Sequence, residues 1–172
     1  LLEDAIIDLF PSFDDSVGSS TTNVADSDIL QAIGIVESNT KEDADNGNFI
    51  FAFEKKVFWN QIASINTYQL NTNSPSNDPV GHRPLPRLYG VPVVTSSRLD
   101  YISGSDGRYN ALFHKDAIHF ATGRLPKQGS GLVRVQTNYI PQYLSWLTTA
   151  DILYGVVMNR SDFGVQILSP AS

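Results

Sequence analysis

The stretch Leu85-Pro86-Arg87-Leu88-Tyr89-Gly90-Val91-Pro92-Val93-Val94-Thr95-Ser96 divides the chain into two kinds of pattern. Before it, apolar residues fall mainly at helical spacing. After it they fall almost entirely in short runs of strand length. Gly90 supplies a backbone conformation that other residues resist, so the loop tightens into a turn at Tyr89-Gly90. Pro92 fixes φ and lacks an N–H, which is tolerated near the start of a strand. Val91, Val93 and Val94 make a β-branched run too short for a helix. The stretch therefore opens the second half of a core sheet, and helices followed by strands point to an α+β fold.

Upstream, Leu2, Ala5, Ile6, Leu9 and Phe10 form a helical stripe that Pro11 ends. The following residues, with Asp14-Asp15 and the run Gly18 through Asn23, have no period and read as loop. Asp26 or Ser27 is placed to cap a second helix carrying Ile29, Leu30, Ile33 and Val36 on one face, ending near Ser38-Asn39. Phe49-Ile50-Phe51-Ala52-Phe53 has the length and composition of a buried strand. A third helix over residues 54–65 would bury Val57, Phe58, Ile62 and Ile65, with Trp59 at the edge of that face. Residues 66–84 are a long polar excursion rich in Asn, Ser and Pro, of a length that is usually functional or mobile. Downstream, strands are expected over 109–113, 117–121, 132–137 and 163–168. Residues 143–158 read as one long apolar strand, with Asp151 in its middle and Gly155 as a bulge.

The 172 residues fit one compact domain, or a domain plus a small lobe. A chain of this size can bury roughly 70% of its unfolded surface, so no covalent staple is required. Cysteine is absent, which excludes disulfides, thiolate metal sites and cysteine nucleophiles, and suits a reducing compartment. No run approaches the ~20 apolar residues of a membrane span. Leu1 already lies inside an amphipathic pattern, so processing or truncation is expected to have removed an upstream segment. The net charge of −6 comes without a basic stripe, and Arg83 and Arg87 are the only local arginine cluster. That balance argues against free nucleic acid as a direct ligand.

Chemical motifs are sparse. Asp43, Asp45 and Glu54 resemble a calcium loop in composition, but the glycine falls one place early and a strand follows, so a solvated turn is expected. His82, His114 and His119 lack zinc-ligand spacing, and His114 and His119 should face opposite sides; structural roles fit them better. Gly129-Ser130-Gly131 is not a nucleophile elbow, and no phosphate-binding glycine loop occurs. Asp14-Asp15 reads as a solvated pair rather than an acid and a base. Asp151 is the most provocative residue: buried, it needs Arg134 or Arg124 as partner, and otherwise its strand has a wet face. No cofactor site and no enzyme chemistry find positive support.

At Tyr89-Gly90-Val91-Pro92-Val93-Val94, and again at Ala111-Leu112-Phe113-His114-Lys115-Asp116-Ala117-Ile118, the chain resembles the major capsid proteins of tailed bacteriophages, which share the Hong Kong 97 fold. The segment Leu2 to Gly18 is similar to the end of that family's spine helix and, at Phe13-Asp14-Asp15-Ser16-Val17-Gly18, the turn leaving it. Asp28-Ile29-Leu30-Gln31-Ala32-Ile33 is similar to the first helix of its axial domain, and residues 49–65 to the next strand and helix, where the family usually has a proline in place of Glu54 or Lys55. Residues 151–156 and 164–167 resemble the ending of such subunits.

The resemblance implies a mixed central sheet flanked by helices, plus part of a peripheral domain. It assigns residues 1–25 to the end of the spine helix and the peripheral connection, and 26–122 to the axial domain. Residues 123–142 become a peripheral strand segment, and 143–172 become strands returning to the axial sheet. The family's N-terminal arm, extended hairpin loop and most of the spine helix have no counterpart, which implies the C-terminal half to two-thirds of a subunit. The implied role is structural: pentamers and hexamers of an icosahedral head enclosing double-stranded DNA. Its partners would be copies of itself, with scaffold and portal proteins during assembly in the bacterial cytoplasm, and neither a membrane nor a specific nucleic-acid site. Asp43 and Asp45 on one loop, and Asn73, Arg83 and Arg87 on another, become candidates for contacts near the ring axes. The rival readings are a tail or head-decoration binding module, and a small hydrolase built on Asp151, His114 or His119.

Overall fold

A computed structural model describes residues 2–65, 87–99, 102, 107–124 and 133–170. They fall into two compact units, one within 1–118 and 158–172 and the other within 119–157.

The first unit is built on a six-stranded mixed sheet in the order β1-β10-β5-β2-β4-β3. Its strands are β1 (Asp15–Gly18), β2 (Phe49–Glu54), β3 (Arg87–Leu88), β4 (Val91–Ser96), β5 (Arg108–His114) and β10 (Gly164–Ser169). β1 runs parallel to β10, and β2 parallel to β4. The other pairings are antiparallel; Phe51 of β2 stands opposite Leu112 of β5 in an antiparallel pair and level with Val93 of β4 in a parallel one. Helices cover both faces, as alternation along the strands requires. Phe49, Phe51 and Phe53 point to one face, with Leu112, Val165 and Ile167, and meet α2 (Asp26–Thr40) and α3 (Lys55–Asn60). Ala111 and Phe113 point to the other face, where α1 (Leu2–Ile7) delivers Ile7, and Phe10 and Phe13 follow it. Each fully buried phenylalanine contributes about 1.5–3 kcal/mol of transfer free energy, which makes the Phe49-to-Phe53 run a principal anchor. Among the described residues no helix is long and apolar enough to cross a membrane.

The expected α+β architecture is present, with local corrections. α1 stops at Ile7, and Phe10–Ser12 continues as a single 3-10 turn that accommodates Pro11. The supposed loop after Pro11 contains β1, an edge strand whose one buried residue is Val17. The cap of α2 is Ala25, which offers no side-chain acceptor; instead the Asp28 carboxylate reaches back and accepts from Ala25 N at 2.9 Å. The third helix ends at Asn60, and Ile62–Ser64 forms a separate 3-10 turn. Glu54 is not its first helical residue but its cap, accepting from Lys56 N at 2.6 Å and Val57 N at 3.0 Å.

The hairpin at the organising stretch closes through Tyr89 (φ 51°) and Gly90 (φ 83°), with Leu88 opposite Val91. Two successive left-handed residues give a turn whose twist matches the strands it joins. Pro92 pairs across to Arg87 of the two-residue edge strand.

The second unit holds two two-stranded sheets. One pairs β6 (Ile118–Gly123) with β9 (Leu153–Met158); the other pairs β7 (Arg134–Ile140) with β8 (Ser145–Asp151). The single strand expected over 143–158 is thus two strands in different sheets, parted at Ile152. The antiparallel β7–β8 register takes β8 through the turn Pro141–Tyr143 and the left-handed Leu144 (φ 48°), which commits it to its hairpin partner.

Candidate functional site

Two turns lie at the same end of the central sheet. Phe51 is level with Val93 in the parallel β2–β4 pair, so the turn before Phe49 and the Tyr89-Gly90 turn before Val91 sit side by side at the strand starts. The first of these turns, Ala44–Asn46 with its flanks, contains Asp43 and Asp45. Asp43 is exposed, precedes the 3-10 turn, and accepts Asn46 N through its backbone carbonyl at 3.2 Å. Arg87 is exposed at the start of β3, and its guanidinium donates to Gly90 O at 3.2 Å, bracing the second turn. Asn73 and Arg83 lie outside the described residues.

Glu42 fastens the first turn to the sheet. Its Oε2 accepts from Asn46 Nδ2 at 2.7 Å and Asn48 Nδ2 at 2.8 Å, and lies 3.4 Å from His114 Nε2. The Asn48 amide, then that of Asn46, holds the Glu42 carboxyl below its ordinary value, with His114 adding a smaller effect. His114 is enclosed, 2% exposed, between the rings of Phe49 and Phe163. Its Nδ1 accepts from Asp116 N at 3.2 Å, so the proton of a neutral ring sits on Nε2, facing Glu42. Lys115 completes the fastening: its backbone N donates to Asn48 O and its Nζ to Asn48 Oδ1, each at 2.9 Å.

The remaining ionisable residues singled out from the sequence take structural positions. Glu54 is a helix cap, which removes it from any loop that Asp43 and Asp45 could form. Among the described residues no cluster of three potential metal ligands occurs. Asp14 accepts from Ser161 Oγ at 2.8 Å, and Asp15 from Asn39 Nδ2 at 3.2 Å, so the pair braces the unit rather than facing inward together. His119 is exposed on β6, whereas His114 is buried at the end of β5. Asp151 is half-buried and receives Arg134 Nη2 at 2.6 Å and Nε at 3.1 Å, the partner expected for it, across the last rung of β7–β8.

The opposite face of that hairpin is apolar and open. Val135, Tyr139 and Trp146 project from it, and the last two rings pair at 5.3 Å across the rung they share. Trp146 is 69% exposed. Sequence reading missed this face because residues 143–158 were read as one long strand rather than as a strand of a hairpin with β7 followed by a second strand. It also missed Asn110, fully buried, which accepts from Glu54 N at 2.8 Å and donates to Ile167 O and Ser169 Oγ, clamping β2, β5 and β10. A lone asparagine in an otherwise apolar strand was the available signal.

No family model and no curated protein matches this sequence. Solved structures do match its fold over nearly its whole length. One from Mycobacterium phage Che8 superposes with a TM-score of 0.67 at 14% identity, covering 96% of this chain and 57% of that one. The capsid of the cyanophage P-SCSP1u gives 0.63 at 10% identity, covering 99% and 62%. The asymmetric unit of the mature capsid of bacteriophage PhiM1 gives 0.60 at 16% identity, covering 98% and 60%. The chain therefore spans somewhat under two-thirds of the length of these relatives.

Proposed function

The Hong Kong 97-type fold read from the sequence is the fold of this chain, and from that premise we propose that it is the structural core of a major capsid subunit. In this reading, copies form pentamers and hexamers of an icosahedral phage head enclosing double-stranded DNA, assembled in the host cytoplasm with scaffold and portal proteins. The observation that carries it is the match of 96–99% of the chain to phage and capsid structures at TM-scores of 0.60–0.67. The role is mechanical rather than enzymatic, consistent with Glu54, His114 and Asp151 being spent on a cap, a turn fastening and an ion pair.

Within that reading residues 26–122 supply the axial domain and residues 123–142 a peripheral strand segment; of residues 143–172, β10 joins the central sheet whereas β8 and β9 pair with β7 and β6. The two adjacent turns carrying Asp43, Asp45 and Arg87 then face the ring axis, where the same surface meets a different surface of the next copy and the ring closes. The acidic balance keeps a shell lining from adhering to packaged DNA. Expression of the full-length gene product followed by electron microscopy tests the proposal. Closed shells or capsomer rings are expected; discrete monomers that bind a preformed shell would overturn it in favour of a decoration or tail module.

A further inference from the structure

We propose that Asn46 is a site of spontaneous covalent modification, at which its conversion to an acid releases the Glu42–Asn48 turn from the sheet. Asn46-Gly47 is the sole Asn-Gly pair in the 172 residues. In such a pair the backbone nitrogen of the glycine can reach the asparagine Cγ, because no Cβ on the second residue obstructs ring closure. Asn46 is exposed, and an added Cβ at Gly47 (φ 84°) would have nothing within 4 Å, so no other segment of the chain crowds the glycine.

The turn also prepares the electrophile. Asn48 N donates to Asn46 Oδ1 at 2.9 Å, which places a donor on the oxygen that gains negative charge when Cγ becomes tetrahedral. The Gly47 nitrogen loses its proton to solvent and bonds to Cγ. The Cγ–Nδ2 bond breaks, and the nitrogen leaves as ammonia after taking a proton from water. A second water opens the resulting five-membered imide at either carbonyl, giving aspartate or isoaspartate. The sum is one amide and one water giving one carboxylic acid and ammonia, with no oxidant or cofactor.

The product is incompatible with the fastening. Nδ2 of Asn46 is the donor 2.7 Å from Glu42 Oε2, and its replacement sets a second carboxylate against the first. Glu42 then loses one of the two amides that hold it, and Asn48, which carries both Lys115 contacts, is the residue pulled away.

The experiment uses the purified, unassembled chain, aged at mildly alkaline pH. Trypsin cleaves after Lys41 and Lys55, isolating Asn46 and Asn48 in one peptide with an internal reference. Mass spectrometry is expected to find acid at Asn46, as aspartate and isoaspartate, ahead of every other asparagine; an intact Asn46 beside converted neighbours overturns the assignment. Asn46→Gln, which keeps the amide but disfavours ring closure, should abolish the conversion. Asn46→Asp should accelerate hydrogen exchange severalfold across residues 42–48 without changing β5. Unchanged exchange in that variant would overturn the release step.

Discussion

The Tyr89 hydroxyl donates to Asp26 Oδ1 at 2.7 Å, joining the hairpin turn to the first turn of α2. The contact explains why a tyrosine tolerates a left-handed backbone (φ 51°) that favours glycine or asparagine. Its ring packs against the main core while its oxygen meets a carboxylate at a helix N-terminus. Tyr89→Phe should therefore cost about 1–2 kcal/mol in urea unfolding, and a double-mutant cycle with Asp26→Ala, which removes the acceptor, should show coupling of similar size. Strict additivity of the two substitutions would contradict this.

Asn110 should be far less tolerant. Replacing it with alanine strands the Glu54 N–H and the Ile167 carbonyl in a region without exposure. A loss of at least about 2 kcal/mol is expected, together with faster exchange at the ends of both β2 and β10. A loss confined to β2 would show that the clamp does not span three strands.

Glu42 makes stability depend on pH in a defined direction. Its folded carboxyl is held below the ordinary value, chiefly by the Asn48 amide. A depressed value means the stabilisation is present above the unfolded value and is lost as pH falls through the folded one. Melting temperature should accordingly fall more steeply between about pH 5 and pH 3 in the parent than in Glu42→Gln. Identical slopes would remove Glu42 from the acid response.

The Arg134–Asp151 pair is only partly shielded, so its removal should be felt locally. Asp151→Ala is expected to cost about 0.5–1 kcal/mol, read as reduced exchange protection in β7 and β8. Loss of secondary structure in the central sheet would argue for a larger role.

Legibility followed the strength of the local signal. Phe49 through Phe53 and the Gly90 hairpin were readable because burial and turn chemistry both act on adjacent residues. β1 was not, since Asp-Ser-Val-Gly has one buried apolar side chain and becomes a strand only by pairing with β10, distant in sequence. Residues 143–158 misled for the opposite reason: continuous apolar character implied one long strand, whereas the chain divides it into β8 and β9 and leaves Trp146 open on the β7–β8 hairpin. Of the candidate contacts, Asp43 and Arg87 were placed on exposed turns, but Glu42 was passed over. Its importance arises from converging amides of Asn46 and Asn48 that no spacing rule encodes.

The last strand of the central sheet lies not at its rim but between β1 and β5. During synthesis the sheet therefore stays divided until β10 emerges, and β1 has no neighbour in it until then. Shortening the chain by its closing strand would not trim an edge but split the sheet, leaving the face under α2 open along the line that Val165 and Ile167 now fill.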